Sequence, residues 1–221
     1  MSGTLALVGS GEFLDTMRPV DALLLDAAGG PAQARVVVVP TASAPDGPRV
    51  MADWAERGRA HFAALGAPVD VALIADRPGA DDPANVATIA AANLVYLSGG
   101  KPRFLLATLR GTRAWDAIRQ VYARGGVLAG CSAGAMICGA KLLSPRLRLG
   151  WPWVLEDAFS LVRASLPEGL TMIGVDEDTA LVSDGTNWTV HGRSGVEIAR
   201  GGVRRRYGQG ERVSLAEMSR E

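Results

Sequence analysis

Apolar runs at residues 5–8, 36–39, 69–74, 94–97, 127–129 and 170–175 are short and dominated by valine, isoleucine and leucine. Little polar alternation interrupts them, so they predict strands buried on both faces. The stretches between them follow a helical period. Within residues 50–65, Met51, Trp54, Ala55, Phe62 and Leu65 share a face, and Gly66-Ala67-Pro68 stops the pattern. Residues 83–92 and 112–124 read the same way, and the second ends at Gly125-Gly126, where a helix C-terminus favours glycine. Strands alternating with helices of this length predict a doubly wound α/β domain, its mostly parallel sheet covered by helices on both faces.

Beyond about residue 179 the spacing shortens. Strand-length pieces at 179–183, 187–191, 195–200 and 203–207 lie between turn signals at Asp184-Gly185, residues 192–194 and Gly201-Gly202. Turns this close predict C-terminal antiparallel hairpins that extend or flank the sheet. The run Arg204-Arg205-Arg206 fits a solvated edge strand protected by charge. No linker, repeat or low-complexity tract divides the chain, so residues 1–221 read as a single α/β domain.

Composition then removes whole function classes. With 221 residues, 48% hydrophobic and 21% charged, the chain can bury a substantial core. Lys+Arg and Asp+Glu both number 23, which leaves no basic footprint for nucleic acid or an anionic membrane. Only Lys101 and Lys141 are lysines, so the basic residues are almost all arginine, as in a chain from a GC-rich genome. Aromatics at 5% offer no stacking platform for single strands. Met1-Ser2-Gly3-Thr4 leads directly into the first apolar run, without a basic leader, and no stretch is apolar over about eighteen residues. A cytoplasmic location is expected. The two cysteines, Cys131 and Cys138, form neither a disulfide framework nor a CxxC pair. With His61 and His191 the sole histidines, no metal site and no cofactor are expected.

One segment carries chemistry. In Gly130-Cys131-Ser132-Ala133-Gly134-Ala135, an apolar strand runs into Gly-x-Ser-x-Gly and then into a helix beginning near Ala133. A serine in such a turn is strained and pushed out of the sheet, beside the N–H groups that an oxyanion needs. Gly130 and Gly134 bracket Ser132 symmetrically, which selects it over Cys131 as the nucleophile.

Four segments together resemble the peptidase E and cyanophycinase family of serine peptidases, whose fold is similar to the class I glutamine amidotransferases and hence flavodoxin-like. Residues 3–13, with Gly9-Ser10-Gly11-Glu12, resemble its opening strand and glycine-rich loop. Tyr96-Leu97-Ser98-Gly99-Gly100-Lys101 resembles its strand ending in a double glycine, and residues 130–135 resemble its nucleophile elbow. Residues 173–180, including Asp176-Glu177-Asp178, resemble the segment holding its acidic triad member. The resemblance implies Ser132 as nucleophile, Glu177 as acidic member, and the Gly100 and Ala133 N–H groups as oxyanion donors. It also implies that Gly9, Ser10, Gly11 and Glu12 line the substrate cleft. All four segments are expected at the C-terminal ends of parallel strands, where doubly wound folds build their sites.

The family's histidine has no counterpart. Aligned on Phe159, its position is taken by Ala158 in Trp153-Val154-Leu155-Glu156-Asp157-Ala158-Phe159-Ser160. His61 is expected on a helix surface, and His191 in a hairpin, with a displaced base as its alternative role. General-base help is worth about 10²–10⁴ in rate, so its loss cripples a serine nucleophile. Two readings stand. One is a hydrolase cleaving an amide of a small, Asp-containing peptide through an acyl-enzyme on Ser132. The other is an inactive relative that binds a small molecule or peptide. Glutamine amidotransfer would require a cysteine at the elbow itself. The expected partner is a small peptide or amide, with a homodimer compatible and no nucleic acid or membrane.

Overall fold

The computed structural model describes residues 3–139, 171–185, 187–200 and 202–213. Five of the six apolar runs become parallel strands of the main sheet: β1 (Thr4–Val8), β2 (Val36–Val39), β3 (Val69–Val71), β4 (Leu94–Leu97) and β5 (Val127–Cys131). They lie parallel in the order β1-β5-β4-β2-β3. All the residues of β2, β4 and β5 are buried, as continuous apolar runs require.

Helices cover both faces: α1 (Arg18–Ala27), α2 (Pro48–Ala64), α3 (Arg77–Asp81), α4 (Pro83–Ala91), α5 (Pro102–Leu109), α6 (Arg113–Ala123) and α7 (Ala133–Ile137). Successive strand residues point to opposite faces. Accordingly Val37, Val39, Val95 and Leu97 pack with Leu105, Ile118 and Val121 of α5 and α6, while Val36, Val38, Leu94 and Tyr96 pack with Leu24 of α1 and Phe62 of α2. Ala133 and Ile137 of α7 pack on the first face and Leu24 of α1 on the second. The helices that follow the neighbouring strands β5 and β1 thus lie on opposite faces, the arrangement at which doubly wound folds place their sites.

The tail builds two structures. β7 (Thr179–Ser183), β8 (Trp188–Gly192) and β11 (Arg212–Val213) extend the main sheet beyond β1, every pairing antiparallel. A second sheet has the order β10-β9-β6, from β6 (Met172–Val175), β9 (Val196–Arg200) and β10 (Val203–Tyr207). The expected hairpins are present, and β10, with Arg204-Arg205-Arg206 exposed, is an edge strand.

Two expectations are corrected. The run at 170–175 is no parallel strand of the main sheet, because β7 occupies the open edge of β1 and β6 pairs antiparallel with β9. Its half-buried residues Ile173 and Val175 pack with Leu181, Val190 and Ile198, between the two sheets. His61 is not a helix-surface residue either. It is buried in α2, and its Nε2 lies 2.8 Å from Oδ2 of Asp21, itself fully buried in α1. Burial pushes the Asp21 carboxyl up, against the opposing pull of His61.

Candidate active site

Ser132 joins β5 to α7 with φ 48° and ψ −105°, a conformation that costs a non-glycine residue of order 1–3 kcal/mol. The turn is held rather than loose. The Ser132 N–H donates to the Val8 carbonyl at 2.9 Å, and the Ser132 carbonyl accepts from Met136 N–H at 3.0 Å. The flanking glycines are required by close approach. A Cβ on Gly130 would lie 2.4 Å from the Gly134 carbonyl carbon, and one on Gly134 would lie 2.2 Å from the Leu97 carbonyl oxygen. Cys131 on one side and Ala133 on the other are buried, and Ser132 alone is exposed.

The double-glycine turn after β4 meets this elbow. A Cβ on Gly99 would sit 3.4 Å from the Ser132 Cβ. Gly100 has φ +140° and lies so close to Ala42 that a Cβ would be 2.4 Å from its carbonyl oxygen. That carbonyl accepts instead from Lys101 N–H at 2.7 Å. Among the described residues, neither the Gly100 nor the Ala133 N–H has a backbone partner.

On the other side of the elbow lies the loop after β1. Gly9 N–H donates to the Thr179 carbonyl and Asp178 N–H to the Ser10 carbonyl, both at 3.0 Å, and Ser10 bridges Glu177 in parallel fashion. Glu177 is exposed. Its backbone lies two strand spacings from the elbow, about 10 Å. Its neighbours are pinned. Asp178 accepts from Thr16 Oγ1 at 3.0 Å, and Asp176 accepts from Ser194 Oγ, Gly195 N–H and Arg206. Burial raises the Asp176 carboxyl, but those three donors outweigh it and hold the group below its usual value. Glu177 thus follows an antiparallel strand, β6, rather than the parallel strand expected.

Glu12 departs from its expected place in the cleft lining. It is buried; Oε1 accepts from Gly99 N–H at 2.8 Å and Oε2 from the Cys131 thiol at 2.9 Å. The positive φ of Gly11 (92°) and Phe13 (64°) turns it inward. Nothing in the sequence marks that reversal, because phenylalanine rarely adopts a positive φ.

Neither histidine is placed to serve Ser132. His61 is paired with Asp21 and packed against Phe13 and Phe62, ring centroids 5.8 and 5.3 Å away. His191 pairs with Ala180, Ala180 with Val8, and Val8 with Cys131. Three strand spacings put it about 14 Å from the elbow, too far for proton transfer. Burial holds its imidazole below the usual value. The aligned Ala158 lies outside the described residues, and the chain has no third histidine. Among the described residues, no group of His, Cys, Asp and Glu side chains could hold a metal, and no helix is long and apolar enough to cross a membrane.

Residues 5–147 match the model of peptidase family S51. A peptidase from an acI-B1 Actinobacterium is 30% identical, with a TM-score of 0.87 over 97% of this chain and 98% of that one. A Listeria monocytogenes EGD-e protein assigned by name to peptidase E is 19% identical, with a TM-score of 0.61 over 88% of this chain and 100% of that one. No curated protein matches.

Proposed function

From the premise that this chain belongs to peptidase family S51, we propose that it is an amide hydrolase acting on small, Asp-containing peptides through an acyl-enzyme on Ser132. The observation that carries the reading is the strained, exposed Ser132 at a strand-to-helix turn that meets the Gly99-Gly100 turn. Among the described residues the Gly100 and Ala133 N–H groups have no backbone partner. Ser132 Oγ attacks the scissile carbonyl carbon, and the new alkoxide is received by those two donors. Collapse breaks the C–N bond, the proton released from the Ser132 hydroxyl reaches the departing amine through solvent, and water then hydrolyses the ester to the free acid and Ser132. Gly9, Ser10 and Gly11 border the cleft between Ser132 and Glu177.

Proton transfer is the weak step. The gap between Ser132 and Glu177 suits an imidazole that would take the hydroxyl proton while Glu177 holds its other nitrogen. This chain supplies none, so turnover is slow, sustained by the oxyanion donors and by binding. A triad lacking one member retains roughly 10³–10⁴ over water. The pairing of His61 with Asp21 and the distance of His191 favour a second reading, a binding module that keeps the cleft without turnover.

Restoring the imidazole separates the two. Ala158→His should raise hydrolysis of an aspartyl dipeptide by about 10²-fold or more, and adding Ser132→Ala should abolish the gain. A folded Ala158→His protein that cleaves no small peptide would instead support the binding module.

A further inference from the structure

Glu12 is a buried carboxyl group that the reaction above does not use. Its two oxygens reach two different segments: the Gly99 N–H donates to one at 2.8 Å and the Cys131 thiol to the other at 2.9 Å. Gly99 precedes Gly100 and Cys131 precedes Ser132, so each contact lies one residue before a reacting group. These segments leave the sheet from different strands, β4 and β5, and diverge into α5 and α7.

We propose that Glu12 is a positioning residue, a clamp that fixes the Gly100 donor relative to Ser132 by holding Gly99 and Cys131 on one carboxylate. The inference rests on the reading of Ser132 as the nucleophile flanked by the Gly100 N–H.

Three features support it. Glu12 is held inward by backbone that is itself strained: Phe13, a bulky residue, has φ 64° and is anchored by rings of Tyr96 and Phe62 at 5.2 and 6.2 Å. Such a conformation persists only where surrounding packing over-determines it. Gly99 is shaped for the contact, since a Cβ there would sit 2.7 Å from Glu12 Oε1. Cys131 serves as a donor and not as a second nucleophile. Burial, and then the neighbouring Glu12, push its thiol far above the usual value, which keeps the proton on sulfur. An oxyanion donor displaced by about 1 Å can forfeit about 10²-fold in rate, so this alignment matters.

Amide hydrogen exchange tests the clamp across its width. In Cys131→Ala, exchange should quicken about 10-fold or more at Gly99–Lys101, on the other strand, and Cys131→Ser, which keeps a donor, should stay within about threefold of the parent protein. Glu12→Gln, with one carbonyl oxygen for two donors, should quicken exchange at both segments. Fluorophosphonate capture of Ser132 should slow about 10-fold in Cys131→Ala and Glu12→Gln, and the double variant should be no slower than either. Unchanged exchange at Gly99–Lys101 in Cys131→Ala, with exchange at the elbow altered, overturns the clamp. Coupled exchange in a parent protein that never captures the probe keeps the clamp and sinks the nucleophile reading.

Discussion

At the scale of single residues, the turn at Ser132 sets stability against chemistry. Its φ of 48° is unfavourable for any side chain with a Cβ, and glycine adopts it freely. Ser132→Gly should therefore be more stable than Ser132→Ala by about 1 kcal/mol in urea unfolding, because alanine keeps the strain without the hydroxyl. Equal stability of the two would mean that the turn is not strained. His61 gives the complementary lesson. Its helical position was legible in the sequence, but its burial was not, since a histidine in a mixed helix most often faces solvent. It can be buried because Asp21 arrives from another helix, and the hydrogen bond offsets the cost of burying the ring nitrogen.

At the scale of elements, the elbow depends on three backbones meeting: β5, α7 and the end of β4. Gly134 is where α7 touches β4, and a methyl group there would lie 2.2 Å from the Leu97 carbonyl oxygen. Gly134→Ala should push α7 off the sheet, cost about 1–3 kcal/mol as overpacking does, and slow probe capture at Ser132. Unchanged thermal melting and capture would show that α7 yields at no cost. The sequence carried this much plainly: Gly-x-Ser-x-Gly between an apolar strand and a helix is a local pattern, set by neighbours within five residues. The inward turn of Glu12 is the opposite case. It depends on Phe13 finding Tyr96 and Phe62, on other strands and helices, and no local rule encodes that.

At the scale of the whole molecule, the second sheet is tied at Asp176, where β6 leads toward Glu177. Its carboxyl accepts from Ser194, Gly195 and Arg206, the last on edge strand β10. The carboxyl is held below its ordinary value in the fold, so its contribution is fully present above the unfolded value near pH 4. It is lost as pH falls through the lower folded value. Asp176→Asn should accordingly lower stability and quicken amide exchange in β9 and β10 at neutral pH, and the difference from the parent protein should vanish in acid. A stability difference that persists once Asp176 is protonated in the folded protein would place the stabilisation elsewhere.

What the sequence determined by itself was the parallel core, the hairpin tail and the strand-to-helix elbow at Ser132. Each is written in short-range terms: apolar runs too continuous for a half-exposed strand, and turn residues at fixed offsets. The tertiary structure alone decided which strand takes the free edge of β1. The run at 170–175 and the run at 179–183 are both apolar enough for it, and the choice of β7 rests on pairing partners that lie more than a hundred residues away. It alone also decided that His191 is out of reach of Ser132 and that His61 is engaged by Asp21. A base must lie within hydrogen-bond distance of its proton, and that distance is a property of strand order and register, not of spacing along the chain.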